Sequence, residues 1–284
     1  MSPVIRGALW MSGAILSFTS MALAGRIIGL ELDTFEIMLY RSMIGVVIVL
    51  TIASATGHLG DIRRQKMGLH LIRNISHFTG QNLWFYAVTV APLAQVFALE
   101  FSAPLWAMLL SALILGEALT KARVLSGLMG FVGILIVTRP GLQEFGIPQI
   151  TAALCAVGFA GSAVFTRLLT RTENITSILF WLTVMQTVFG LICAGIDGEI
   201  AIPTAGAIPY IVLIAGAGLL AHFCLTTALS LAPAAIVMPI DFLRLPLIAV
   251  TGALLYSEAL DPFVFIGAAV IFLANYNNIR RASR

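Results

Sequence analysis

Apolar runs of about twenty residues follow one another through almost the whole chain, and charged residues and turn residues separate them. A helix needs about 20 mainly apolar residues to cross the hydrocarbon core of a bilayer. Each run therefore predicts one membrane-spanning helix. The ten predicted spans lie near residues 5–28, 35–57, 69–90, 93–115, 120–138, 148–169, 175–196, 208–231, 234–256 and 261–279.

Two junctions between these runs are very short. Ala91-Pro92 separates the third span from the fourth, and Ala232-Pro233 separates the eighth from the ninth. Proline ends a helix because it lacks the N–H that the helix needs and its ring collides with the preceding turn. The spans on either side of each junction are therefore expected to be antiparallel neighbours.

The second half of the chain repeats the first at an offset of 141 residues. The offset aligns Ala91-Pro92 with Ala232-Pro233, Phe101 with Phe242, Glu117-Ala118-Leu119 with Glu258-Ala259-Leu260, and Arg139 with Arg280. Each half holds five predicted spans, and an odd number makes the second copy enter the membrane upside down. The predicted fold is an all-α integral membrane protein in which ten transmembrane helices form two inverted five-helix repeats, residues 1–141 and 142–284.

Composition agrees with a lipid environment. Hydrophobic residues make up 60% of the chain and charged residues only 10%, against roughly 25% charged residues in an ordinary soluble domain. The lipid bilayer is thus the expected partner of most of the surface.

The net charge of +3 is a topology signal, so no nucleic-acid partner is predicted. With a cytoplasmic N-terminus, twelve of the 16 basic residues fall on the inner side, which predicts a cell inner membrane protein with both termini in the cytoplasm. These twelve residues are Arg6, Arg63, Arg64, Lys66, Arg73, Lys121, Arg123, Arg167, Arg171, Arg280, Arg281 and Arg284.

Several short motifs resemble the EamA domain, the repeat unit of the drug/metabolite transporter superfamily. They are Trp84-Phe85-Tyr86-Ala87-Val88, Ala91-Pro92-Leu93-Ala94, Pro104-Leu105, Gly116-Glu117 and Arg139-Pro140-Gly141, with a weaker echo in the second half. The resemblance implies a ten-helix carrier that works by alternating access on a small-molecule substrate. Spans three and nine are similar to those of bacterial riboflavin importers, with S-adenosylmethionine, amino-acid and organic-anion carriers as alternatives.

Four charged residues stand out well inside predicted spans, because a charge near the bilayer centre costs about 2.5–3.5 kcal/mol on insertion. Glu100 and Asp241 occupy matching positions of the two repeats, Arg244 follows Asp241 by one turn, and Arg41 lies in span two. They form either structural ion pairs or a transport site in which a carboxylate couples a proton or cation. Since only Asp241 has an arginine one turn away, Glu100 is expected to be the less compensated carboxylate.

Span three carries a polar and aromatic stripe of Asn74, His77, Gln81 and Trp84, and His222 matches Gln81 in the second repeat. Such a stripe faces either packed protein or a wet cavity. Aromatic rings with amide and imidazole groups would suit a planar heterocycle, and phenylalanine is expected to replace Trp84 in stacking. The predicted substrate-binding residues are His77, Gln81, Trp84, Arg41, His222 and Arg244, and the predicted coupling residues are Glu100 and Asp241.

Other chemistry has little support in the sequence. Cys155, Cys193 and Cys224 stand singly, so neither a metal nor another cofactor is predicted. The chain lacks GxxxxGK[ST], HExxH and GxSxG patterns, which favours a secondary carrier and leaves an intramembrane lipid-modifying enzyme as a remote alternative. A monomer or a homodimer is expected.

Overall fold

The computed structural model describes residues 2–139 and 146–282, and these residues form helices joined by short turns. No β-strand occurs within these two ranges, so the prediction of an all-α protein is confirmed for them. The predicted boundary between the repeats, at residues 141 and 142, lies outside the described residues, as do Pro140 and Gly141 of the EamA-like motif. That boundary stays a prediction.

Side-chain caps begin the first two helices of the first described range. Ser2 caps the first helix through its side chain, and Asp33 and Glu36 form a reciprocal capping box at the second. The helices are α1 (Pro3–Ile28), α2 (Thr34–Ala55), α3 (Met67–Val90), α4 (Leu93–Glu100), α5 (Ala103–Leu110) and α6 (Lys121–Thr138), with a π-helical turn at Ser111–Leu115 and a short 3₁₀ turn at Leu59–Asp61.

The second described range is also helical. Asn174 caps one helix by accepting a hydrogen bond from the Ser177 N–H at 2.7 Å, and Pro233 begins another. The helices are α7 (Ile147–Leu169), α8 (Ile175–Ala194), α9 (Ile208–Leu231), α10 (Ala234–Val237), α11 (Arg244–Tyr256) and α12 (Pro262–Ala282), and a 3₁₀ helix at Met238–Leu243 joins α10 to α11.

Spans four and nine, whose prolines predict bending near Glu100 and Asp241, are interrupted. Phe101 and Ser102 separate α4 from α5, and the 3₁₀ helix separates α10 from α11. Pro104 has no N–H to donate to the carbonyl of Glu100, and Pro246 likewise leaves the carbonyl of Phe242 without its helical donor. Both interruptions therefore lie next to the charged residues of the site.

Within the described residues, six helical segments are long and apolar enough to cross a membrane. They are Pro3–Ile28, Thr34–Ala55, Leu93–Leu115, Ile147–Leu169, Ile175–Ala194 and Ile208–Leu231. The chain is thus a multi-pass membrane protein, and the number of ten spans stays a prediction.

Helices from the two described ranges pack against each other throughout the molecule. The main pairs are α1 with α9, α3 with α7, α2 with α8, and α6 with α12. The α3–α7 contact depends on glycine, because a Cβ atom added at Gly158 would lie 2.8 Å from the Cα of Gly80 and from the carbonyl oxygen of Ser76. The two helix backbones therefore meet directly.

One end of this bundle is tied by ion pairs. Arg26 of α1 pairs with Glu258, whose two carboxylate oxygens each accept a hydrogen bond from the Leu93 N–H at 3.1 Å. Arg139 pairs with Asp261. The contacts of Glu258 hold α1, the start of α4 and the end of α11 together.

Candidate substrate cavity

An internal cavity of about 60 Å³ lies where α1, α3, α5, α7, α9 and the 3₁₀ helix meet. Seven of the eight residues predicted from the sequence line it: His77, Gln81, Trp84, Glu100, His222, Asp241 and Arg244. Sites for drug-sized ligands are typically 300–1,000 Å³. The cavity in this conformation therefore has to widen before it can hold a molecule of that size.

Arg244 is the centre of the charged part of this cavity. Its Nη2 atom lies 2.6 Å from Glu100 Oε1 and 2.5 Å from Asp241 Oδ2. The other Glu100 oxygen, Oε2, accepts a hydrogen bond from the Trp84 indole N–H at 2.7 Å. One arginine thus joins the carboxylates of the two repeats, and we call these four residues the Glu100–Arg244 network.

Aromatic rings surround the guanidinium group of Arg244. Its Cζ atom lies 4.7 Å from the ring centre of Phe97, 5.1 Å from that of Phe18 and 5.5 Å from that of Phe101. Aromatic faces attract cations, and the attraction is stronger where water is excluded. The network is therefore held in an apolar, aromatic shell.

The expectation that Glu100 is the less compensated carboxylate is wrong. Glu100 accepts hydrogen bonds from Arg244 and from Trp84, whereas Asp241 accepts one from Arg244 and its Oδ1 atom has no partner among the described residues. The spacing of three residues shows which arginine lies near Asp241, but the contact to Glu100 spans two helices and cannot be read from local spacing.

The polar stripe of α3 is divided between the cavity and the packed interface with α8. Asn74 does not face the cavity; it accepts a hydrogen bond from Arg73 and, through its backbone carbonyl, one from Gln186 of α8 at 2.9 Å. Arg73 takes its place in the cavity lining beside His77, Gln81 and Trp84. Asn74 instead fastens α3 to α8.

Arg73, one of the twelve basic residues predicted on the inner side, belongs to the cavity lining as well. The side chain lies within α3, is only 1% exposed, and donates hydrogen bonds to Thr166 Oγ1 at 3.1 Å and Asn74 Oδ1 at 3.0 Å. The positions 73, 77 and 81 are separated by four residues each, which puts them on one helix face. That spacing is the signal that could have identified Arg73.

The two predicted histidines meet inside the cavity. The ring centres of His77 and His222 are 4.6 Å apart and nearly perpendicular, at 86°. His77 Nε2, both ring nitrogens of His222 and Gln81 Nε2 have no hydrogen-bond partner among the described residues. The cavity wall therefore offers polar atoms that are available to a bound molecule.

Arg41, the eighth predicted residue, lies behind the cavity wall. Its Nη1 atom is 3.8 Å from the sulfur of Met21, which lines the cavity, and 3.9 Å from the sulfur of Met38. Arg41 is 6% exposed. In this conformation it can influence the cavity by its charge and cannot touch its contents.

Several further lining residues were not predicted: Phe18, Phe101, Ser162, Thr166 and Thr226. Serine, threonine and phenylalanine are common in membrane helices, so their type alone gives no signal. Among the described residues, no group of three histidine, cysteine or acidic side chains is arranged to hold a metal ion.

Comparison with known proteins places this cavity in a transporter family. The sequence profile of the EamA-like transporter family matches residues 5–139 and again residues 146–277. A riboflavin transporter of Brucella anthropi is 31% identical over 78% of this chain and 80% of its own length. An S-adenosylmethionine uptake transporter of Rickettsia bellii is 23% identical over 94% of this chain and 91% of its own.

A solved structure supports the fold. A crystal structure of another protein superposes on this chain with a TM-score of 0.78 at 20% sequence identity. The match covers 98% of this chain and 99% of the chain in that structure. The resemblance to the EamA domain that the motifs indicated is confirmed, since the two family matches cover nearly the whole chain. The chain belongs to the EamA-like transporter family.

Proposed function

We propose that this protein is a secondary carrier of the cell inner membrane that takes up riboflavin or a similar heterocyclic vitamin by alternating access. The observation that carries the proposal is the cavity between the two repeats, where a network of buried charges lies beside aromatic rings and unpaired polar atoms. The riboflavin transporter of Brucella anthropi supports the choice of cargo.

The packing of the helices supports two inverted five-helix repeats, residues 1–141 and 142–284. The offset of 141 residues aligns α1 with α7 and α3 with α9, so the α1–α9 pair corresponds to the α7–α3 pair. The offset also aligns α2 with α8 and α6 with α12, so each of these two packed pairs joins equivalent helices of the two halves. A pairing scheme of this kind is what a two-fold relation between the halves requires.

The interruptions of spans four and nine support these two spans as the moving parts. Each break frees backbone carbonyls and permits bending next to the Glu100–Arg244 network. The small cavity corresponds to an occluded conformation that opens to one side at a time. Arginine keeps its charge, so Glu100 and Asp241 are the candidates for carrying a coupled proton.

Both termini lie in the cytoplasm in this proposal, and the protein acts as a monomer or a homodimer. The loop with Arg63, Arg64 and Lys66 provides the clearest support, because basic residues accumulate in cytoplasmic loops. The relatives that the chain matches are transporters, which argues against the lipid-modifying enzyme.

The test is an uptake screen with the purified protein in lipid vesicles. Riboflavin, S-adenosylmethionine, amino acids and small carboxylates are compared under an imposed proton gradient and without one. Saturable riboflavin uptake that protein-free vesicles lack supports the proposal. Uptake of S-adenosylmethionine in its place would establish the alternative that the Rickettsia bellii relative favours, and uptake of only an amino acid or a carboxylate would refute both.

A further inference from the structure

Two buried arginines and two buried histidines gather on the side of the cavity that the Glu100–Arg244 network does not occupy. Arg73, His77 and His222 line the cavity, and Arg41 lies behind Met21. All four are at most 6% exposed. Both imidazoles lie within the electrostatic field of Arg41 and Arg73. We call these four residues the arginine–histidine cluster.

The arginines of this cluster have only neutral partners among the described residues. Arg73 donates hydrogen bonds to a hydroxyl group and an amide oxygen, and Arg41 contacts two methionine sulfurs. Arg244, by contrast, contacts two carboxylates. A buried cation without an anion nearby is costly, because burial removes its hydration and nothing charged replaces it.

Unpaired polar atoms point into the same region. His77 Nε2, His222 Nδ1 and Nε2, and Thr226 Oγ1 have no hydrogen-bond partner in the described part of the chain. Buried polar atoms are normally paired, so a group of unpaired ones in a cavity wall indicates a place for a ligand. With two arginines beside them, these atoms suit a ligand group that accepts hydrogen bonds and carries negative charge.

We propose that the arginine–histidine cluster binds an anion, a carboxylate or phosphate group, with Arg73 in direct contact and Arg41 supplying a second positive charge from behind Met21. The proposal rests on the proposed carrier function. The anion is a group on the cargo itself or a separate inorganic ion that is bound together with a neutral cargo; both sources have the same chemistry at Arg73.

The length of α3 favours the cargo as the source. Arg73 and Trp84 lie on one helix face, and eleven residues of α helix separate them by about 16 Å along the axis. A planar heterocycle near Trp84 with an anionic group at the end of a flexible chain would reach Arg73. Riboflavin 5′-phosphate has this form, and riboflavin is its neutral counterpart.

The experiment measures the affinity of the purified protein for riboflavin and for riboflavin 5′-phosphate by quenching of flavin fluorescence. We expect the phosphate ester to bind at least tenfold more tightly, and Arg73→Gln to remove this difference while riboflavin still binds. Arg73→Lys keeps the charge and should keep part of the preference. Arg6→Gln is the matched control, since Arg6 is exposed on α1 and does not line the cavity.

A second measurement separates the two sources. Riboflavin affinity and thermal stability are recorded at the lowest workable salt concentration and after addition of sodium acetate, chloride or inorganic phosphate, for the wild type and for Arg73→Gln. One outcome is that riboflavin and riboflavin 5′-phosphate bind with equal affinity while acetate, chloride or phosphate strengthens riboflavin binding, or raises the melting temperature, only in the wild type. That result would show that the bound anion is a separate ion.

Two outcomes identify which proposal fails. Equal affinity for the two flavins, together with no anion effect that depends on Arg73, would overturn the anion site and leave riboflavin transport standing. If a correctly folded protein binds neither flavin, the flavin cargo is refuted, and the stability measurement with inorganic phosphate still decides whether the cluster binds an anion.

Discussion

Trp84 shows how one side chain can serve structure and function together. The sequence predicts an aromatic surface for stacking, yet the indole is 1% exposed and its N–H group donates to Glu100. Phe85 and Phe97 pack edge-to-face against the ring, with centres 5.2 and 5.9 Å away. Trp84 is thus an anchor of the charge network as well as a cavity wall.

This contact changes the result expected for phenylalanine at position 84. Trp84→Phe keeps a ring but leaves Glu100 Oε2 without its donor, and a hydrogen bond to a charged group contributes about 1.5–3 kcal/mol. We expect Trp84→Phe to lower thermal stability and flavin affinity to values between those of the wild type and Trp84→Ala. Trp106→Phe, an exposed tryptophan outside the cavity, is the control. Wild-type behaviour of Trp84→Phe would show that the hydrogen bond contributes nothing.

The two carboxylates should respond differently to amide replacement. Both carboxylate oxygens of Glu100 accept hydrogen bonds, so in Glu100→Gln the amide nitrogen would face one of the two donors. Only one oxygen of Asp241 accepts a hydrogen bond, so in Asp241→Asn the amide oxygen can take its place toward Arg244. We expect Glu100→Gln to lose about 1–3 kcal/mol of stability and Asp241→Asn to lose less. Thermal unfolding in detergent measures the difference, and equal losses would contradict it.

Transport assays on the same variants test proton coupling. If Glu100 carries the coupled proton, riboflavin uptake by Glu100→Gln should no longer depend on pH, and uptake by Asp241→Asn should still do so. An unchanged pH profile in a folded Glu100→Gln protein removes Glu100 as the coupling group and makes Asp241 the candidate.

At the scale of helices, the close contact between α3 and α7 depends on two small residues. An alanine methyl group at Gly158 would overlap the backbone of Gly80, so the helices would have to separate. Overpacking of this kind costs about 1–3 kcal/mol. We expect Gly158→Ala to lower the melting temperature, whereas Gly216→Ala, where a Cβ atom would have no neighbour within 4 Å, should change it little. Equal melting temperatures would refute this account of the packing.

Helix ends and the bending of spans four and nine were predictable from local chemistry, but the position and length of each break were not. Proline at positions 92 and 233 and the cap at Asp33 lie where the predicted runs begin. The interruptions near Glu100 and Asp241 arise where a missing N–H coincides with a charged network from two helices. Hydropathy averages over such local events, so the runs appear continuous.

For the molecule as a whole, the orientation in the membrane is open to direct test. A cysteine at Arg64, in a chain whose three native cysteines have been replaced, should react with an impermeant reagent only after the cells are opened. A cysteine at Leu30, which is 84% exposed in the turn between α1 and α2, should react in intact cells. The reverse pattern would invert the proposed topology.

The class of the protein was readable from sequence because hydrophobicity and the repeat act over long stretches of chain. The identity of the cavity residues was readable in part, since polar side chains in a membrane span are rare and face protein. The partner of each side chain was not, because contacts such as Arg244 to Glu100 or Arg73 to Thr166 join residues far apart in the chain. Only the packed helices reveal those pairs.

The ion pair between Arg244 and Glu100 also has a consequence for the order in which the two residues are synthesised and inserted into the membrane. Ribosomes add roughly 5–20 residues per second, so Glu100 enters the membrane on the order of ten seconds before Arg244, 144 residues later, exists to pair with it. For part of that interval α3, α2 and α1 also lack α7, α8 and α9, which are completed one after another before Arg244. We therefore expect messages truncated after α6 to yield short-lived products.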